Sequence, residues 1–304
     1  MISKIELKIY KTVEKVMKFK IFYCVLFLAI LSVSLLFSSF SSKPNTSTYN
    51  TRDILNKILE ATANIKTLRY DLLRNERIKG RMSYTESQVK LQVSPRKIYL
   101  SMHGPEVLWI EGTNTGEALV NPGTFPYFNL NLDPMGSLMR KNQHHTLNEI
   151  GIQYLADILK DGIKRAGDNI NKYFIITGEE IRDGRPCYKL SITFPDFGWE
   201  QYTVEKGENI TTIARKLHVS EYMILENNPK YSWYNDVKPN QIIKVPNAFA
   251  RLIMMSIDKE WFFPVSTNVF DDKGLFETYD YKNLKINSVI SPEEFTKGYQ
   301  GYHF

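Results

Sequence analysis

Apolar residues return at every second position in one segment of this chain after another, and no other feature narrows its possible folds so far. Val89, Leu91 and Val93 alternate with Gln88, Lys90 and Gln92, and Ile98, Leu100 and Met102 alternate with Lys97, Tyr99 and Ser101. Tyr188, Leu190, Ile192 and Phe194 alternate with Lys189, Ser191 and Thr193. Successive side chains of a strand point to opposite faces, so each segment predicts a strand with one buried face. Apolar runs at 107–110, 118–120, 173–177, 252–257, 261–263, 275–281 and 284–286 extend the series. Gly104-Pro105, Gly112, Asn121-Pro122-Gly123 and Arg182-Asp183-Gly184-Arg185 are the turns between them. Helical spacing occurs in two places. Ile54, Ile58, Ala61 and Ile65 follow Thr51 and Asp53 as caps, and Leu147, Ile150, Tyr154 and Ile158 share one face over 147–160. Ser291-Pro292 opens a last short helix. The chain therefore reads as α+β with a strongly curved antiparallel sheet.

The charge is unevenly placed. The 304 residues carry a formal net charge of +6, but residues 1–20 hold six Lys and two Glu, and 21–42 hold no charge. The basic balance is thus largely an N-terminal effect and gives no reason to expect a nucleic acid partner. Residues 21–40 are an almost wholly apolar run preceded by Lys15, Lys18 and Lys20. That order reads 1–42 as an export signal peptide, with Ser39 and Ser41 at a cleavage site and Met17 as an alternative start, or as an uncleaved anchor touching the membrane. Either way the rest lies outside the cytoplasm, in the periplasm or cell envelope. Phe22-Tyr23 before Cys24 is not a lipoprotein signal. Cleavage leaves Cys187 as the only thiol, so an internal disulfide is excluded. Residues 41–51 read as a polar linker.

Residues 201–246 form a self-contained order of strand, helix, helix, strand. Tyr202-Thr203-Val204 is the first strand, and Gly207 its turn. Asn209 caps a helix with Ile210, Ile213, Ala214 and Leu217 on one face. Ser220 caps a second helix that stops at Pro229, and Ile242 to Pro246 close the unit. This stretch resembles a LysM domain, through Tyr202-Thr203-Val204, Gly207, Ile213-Ala214, Val219-Ser220, Asn228-Pro229, Pro239, Gln241 and Val245-Pro246. It departs from the family pattern at Glu208, Asn209, Ile210 and Asn240. The resemblance implies binding to N-acetylglucosamine glycans, chiefly peptidoglycan. The groove would lie between Gly207, Glu208, Asn209 and Ile210 on one side and Pro229, Lys230 and Tyr231 on the other. Tyr231, Trp233 and Tyr234 are read either as stacking on sugar or as packing on the rest of the chain. The end strands would pair antiparallel and bring Tyr202 near Val245, so the unit can sit in a hairpin loop between Phe194 and Leu252.

The flanking parts, 43–200 and 247–304, resemble exported proteins of the LolA/LolB-like superfamily of lipoprotein carriers. The resemblance rests on Gly151-Ile152, Arg185-Pro186-Cys187-Tyr188-Lys189-Leu190, Phe263-Pro264-Val265, Asp272-Lys273-Gly274, the stretch from Tyr279 to Asn287, and Pro292-Glu293-Glu294-Phe295. It implies a half-barrel, an unclosed curved sheet covered by helices, whose concave face holds an apolar ligand such as lipid or lipoprotein acyl chains. The set with Val89, Leu91 and Val93 and the set with Tyr188, Leu190, Ile192 and Phe194 are the candidates to line that face, so a polar residue at Leu190 is expected to weaken binding.

Signatures of catalysis are not found. Gly-x-Ser-x-Gly, His-Glu-x-x-His and His-x-His do not occur, and Gly162 to Gly167 has Asp168 where a phosphate-binding loop needs Lys. Cys187 sits in an alternating strand, where a buried thiol is expected. His144-His145 are adjacent and are expected to point apart, so they make no metal site. The reading is an exported envelope-binding protein, no enzyme, with no cofactor and no metal. The alternatives are a peptidoglycan-associated structural protein with no ligand and an unrecognised cell-wall hydrolase.

Overall fold

A computed structural model describes residues 50–304, and the proposed signal segment lies outside them. Asn50, not Thr51 or Asp53, caps the first helix, its side chain accepting from the Asp53 N–H at 3.4 Å. Helix α1 (Thr51–Ala63) buries Ile54, Leu55 and Ile58. A hairpin of two long strands follows, β1 (Thr67–Ile78) and β2 (Arg81–Gln92). They turn at Lys79-Gly80, where φ is 50° and 77°, the left-handed pair that matches strand twist. A meander continues through β3 (Lys97–Met102), β4 (Glu106–Ile110), β5 (Ala118–Asn121) and β6 (Leu130–Leu132). Residues 133–146 have no regular structure.

The second helix begins later than its periodicity predicts. Thr146 and Glu149 cap each other around a single 3-10 turn, Leu147–Glu149, and Gly151 at φ 109° breaks the path before α2 (Gln153–Ala166). After α3 (Ile170–Tyr173) come β7 (Phe174–Arg182) and β8 (Arg185–Thr193), turning at Asp183-Gly184 as expected. The inserted unit is β9 (Trp199–Thr203), α4 (Ile210–Leu217), α5 (Glu221–Glu226) and β10 (Ile242–Pro246). Its end strands pair antiparallel, with Tyr202 opposite Ile243 and Val245 opposite Glu200, two residues from the expected register. The chain closes with β11 (Leu252–Asp258), β12 (Pro264–Asp271), β13 (Gly274–Ile286) and a 3-10 turn at Pro292–Phe295. Residues 261–263 are not a strand. Pro264 starts β12 instead, where its missing N–H costs least.

One antiparallel sheet of eleven strands, in the order β6-β5-β4-β3-β2-β1-β13-β12-β11-β8-β7, carries the host domain. Its ends, β6 and β7, do not pair, so the sheet is an open half-barrel with a separate two-stranded sheet in the insert. Thr193 pairs with Leu252, so the insert occupies the β8–β11 hairpin loop. It does not hang free. Met223 of α5 is fully buried in the same cluster as Phe249, Phe276 and the α1 residues.

The concave face is used in two ways. At the β8–β11 end, α1 and α2 bury Leu190, Ile192, Ile253 and Met255 completely. Leu190 is therefore core rather than ligand wall, and a polar residue there is expected to destabilise the domain instead of reporting on binding. At the other end a second cluster is buried around Leu68, Leu91, Ile98 and Phe263, and its members Tyr70, Val89, Val107 and Val120 face a cavity.

Candidate functional site

A cavity of about 620 Å³ opens on the concave face, where the helices stop short. Alternate residues of the strands point into it, among them Tyr70, Val89, Leu100, Val107, Val120 and Val269, while Tyr154, Leu155 and Ile158 of α2 close the opposite side. Val89 is thus placed as expected, whereas Leu91 and Val93 of the same set pack in the second cluster and do not line the cavity. Leu130, Leu132 and Leu138 reach the mouth. Beside it the β5–β6 loop holds Phe125 and Tyr127 at 80% and 83% exposure. The Thr267 hydroxyl, buried on this wall, has no hydrogen-bond partner.

One part of the wall is ionic. Glu76 and Glu277 are direct partners across β1 and β13, and each is 2% exposed. Two carboxylates placed this way repel unless cations and donors meet them. Tyr279 donates to Glu76 at 2.5 Å, and Arg74 lies 3.6 Å from Glu76. His144 Nδ1 is 2.7 Å from Glu277, with Nε2 2.9 Å from the Arg77 carbonyl. His145 places Nε2 3.3 Å from Glu277 and Nδ1 3.4 Å from Glu149, which also binds Arg215 at 2.6 Å.

The two histidines therefore converge on Glu277, against the expectation that neighbours point apart. They lie on a bend, where strand and helix geometry do not apply. Burial disfavours the charge on His145, but Glu277 and Glu149 outweigh it and hold its pKa well above 6.5. Glu277 is raised by burial and lowered further by His145 and His144, so it stays far below the usual carboxylate range. Glu76, His145 and Glu277 bring three ligand atoms within 4.8 Å of one another, but the donors just named already meet both carboxylates.

Among the glycan residues expected from the sequence, Glu208, Asn209, Ile210 and Tyr231 have their side chains engaged within the insert. Gly207 is an exposed turn at φ 88°. Glu208 accepts from the Tyr202 hydroxyl at 2.8 Å, Lys216 at 3.0 Å and the Glu205 N–H at 2.9 Å. Asn209 caps α4 through the Thr212 N–H at 2.9 Å. Ile210 is buried, and its N–H donates to the Tyr234 carbonyl at 2.9 Å. Pro229 and Lys230 are exposed. Tyr231 packs in the insert's own core and donates to Gln241 at 2.7 Å. Tyr234 is buried under Arg140 of the host, with Trp233 beside it.

Residues 202–246 match the LysM domain model, and residues 65–212 match the family described as "Protein of unknown function (DUF1571)". No curated protein matches the chain in sequence. Among solved structures, the Pseudomonas aeruginosa MucA/MucB complex aligns at TM-score 0.38 and 12% identity, over 82% of this chain and 61% of that one. Mycobacterium tuberculosis lipoprotein LppX aligns at 0.38 and 11%, over 81% and 99%. A LolA superfamily protein from Nitrosomonas europaea aligns at 0.32 and 11%, over 82% and 98%. The class is an open antiparallel half-barrel, as its own strand order and the cavity on its face define it. More particularly, it is such a half-barrel with a LysM domain set into its β8–β11 hairpin.

Proposed function

We propose that this is an exported cell-envelope binding protein. The LysM domain holds it to N-acetylglucosamine glycan, chiefly peptidoglycan, and the half-barrel takes up an apolar ligand such as lipid or lipoprotein acyl chains. The observation that carries the reading is the cavity of about 620 Å³, which the protein's own side chains leave open. Alternate strand positions supply its apolar wall, and an ordinary core would have filled it. On the glycan side, the Gly207 turn, Pro229 and Lys230 remain exposed. Binding rather than catalysis also suits Cys187, which is buried in β8 with its thiol pKa raised by burial.

Two measurements test this on the full chain. A fluorescent long-chain fatty-acid probe is expected to bind saturably and to be displaced by native lipid extract. Purified peptidoglycan is expected to sediment the protein at low salt. Absence of saturable probe binding by folded protein removes the ligand reading and leaves a glycan-associated scaffold. Loss of sedimentation reduces the LysM domain to a spacer. On the same reading the mature N-terminus lies near Ser42, with Cys24 removed or unlipidated.

A further inference from the structure

We infer that residues 133–146 are a strap whose docked position builds the cavity and the LysM glycan face together, so that each ligand tightens the binding of the other. This rests on the function proposed above and adds its regulation.

The strap divides its side chains between two neighbours. Leu138, Met139, Gln143 and His145 line the cavity. Arg140, 5% exposed, turns to the LysM domain instead. It pairs with Glu221, donates to the Thr211 hydroxyl at 3.2 Å, and lies 3.4 Å over the Tyr234 ring. Thr211 follows Ile210, and the Tyr234 carbonyl takes the Ile210 N–H, so Arg140 braces the Ile210 side of the candidate groove. Four residues on, His144 stacks on Tyr222 of the LysM domain at 4.4 Å and on Phe276 of the host at 4.1 Å.

This arrangement favours an all-or-none strap. Met139 and Arg140 are chain neighbours, about 3.8 Å apart at Cα, so the cavity wall cannot withdraw while Arg140 stays in place. The Glu221 carboxylate is buried, and its second oxygen has no hydrogen-bond partner, so removing Arg140 leaves that group buried and uncompensated. An enclosed apolar ligand needs the strap docked, and so does a braced Ile210 side of the groove. Two ligands that favour the same state bind cooperatively, and the coupling is reciprocal.

The test uses the full chain, a fluorescent long-chain fatty-acid probe and an N-acetylglucosamine tetrasaccharide. Saturating tetrasaccharide is expected to lower the probe Kd by about fivefold or more and to slow its release, with the same factor measured the other way round. Arg140→Ala is expected to bring that factor to within about twofold of one. Hydrogen exchange on the unsubstituted protein covers the case in which this variant does not fold, and there each ligand alone should slow exchange across 133–146. If both ligands bind with unchanged affinities and unchanged exchange in the strap, the coupling is overturned and the proposed function stands. If neither binds, the proposed function fails and the coupling falls with it.

Discussion

Arg77→Met is the substitution that most directly tests how the LysM domain is held on the half-barrel. Arg77 ends β1 and is 7% exposed. Its guanidinium pairs with Asp271, which is fully buried, and donates to Glu226 of α5 at 3.0 Å and to the Leu275 carbonyl at 3.2 Å. Burial alone would lower its pKa, but the bonds to Asp271 and Glu226 raise it above the ordinary value and keep it charged. Methionine keeps an apolar stem over the Phe276 ring, which lies 5.2 Å from the guanidinium carbon, and removes only the charge and donors. Glu226 retains Lys273 at 3.3 Å, so little is lost there. Asp271 retains only the Lys273 backbone N–H at 2.8 Å, and a buried carboxylate stripped of its cation costs about 3–5 kcal/mol. That is a large share of the roughly 5–15 kcal/mol that holds a domain folded. Urea unfolding should show this loss, and adding Asp271→Asn should recover about half of it, because the uncompensated charge is then gone. A loss under about 1 kcal/mol, or no recovery in the double variant, would refute the reasoning.

Glu294 carries a pH prediction. Arg69, Lys90 and the Ser291 N–H bring its pKa down to about 2, although burial works the other way. Its depressed pKa contributes stability above the unfolded value of about 4.3 that is lost as pH falls through 2. Glu294→Gln should therefore lower neutral stability by about 2 kcal/mol and flatten this part of the acid limb, seen in urea midpoints from pH 7 to 2. Thr267→Val removes an unpartnered buried hydroxyl at nearly constant shape, so it should stabilise by about 1 kcal/mol, read as a rise of about 2–4 °C in Tm. A fall in Tm would mean that the hydroxyl has a partner. Gly207→Val meets no atom within 4 Å but cannot easily hold φ 88°, so it should distort the turn and reduce sedimentation with peptidoglycan while the host keeps its unfolding transition.

The LysM unit was legible because its motif is local: caps, turn glycine and closing strand all lie within 46 residues. Strands β2, β3 and β8 were legible because apolar residues alternate along them, and β4, β5 and β11 because they are short apolar runs between turns. Strand β1 was not read as a strand. Arg74 and Glu76 stand on its concave side, and Leu72 and Leu73 are adjacent, so the period of two is broken. The residues that hide β1 are the ones that build the ionic wall, which no sequence pattern announces because its members come from β1, β13 and the 133–146 strap. Leu190 was assigned to the ligand wall because alternation tells which residues share a face but not what covers it. Only the placement of α1 and α2 separates filled from open concave surface. The convergence of His144 and His145 depends on a bend that neither periodicity can foresee.

On the proposed function, the open half of the concave face holds an apolar molecule. Native mass spectrometry of the full-length protein, released gently from its own envelope, tests it most directly. The expected result is a population heavier than the polypeptide by one lipid-sized mass, stripped by collisional activation and reduced when Val107→Trp fills the cavity. A single unliganded mass under the gentlest conditions, unchanged by that substitution, would contradict it.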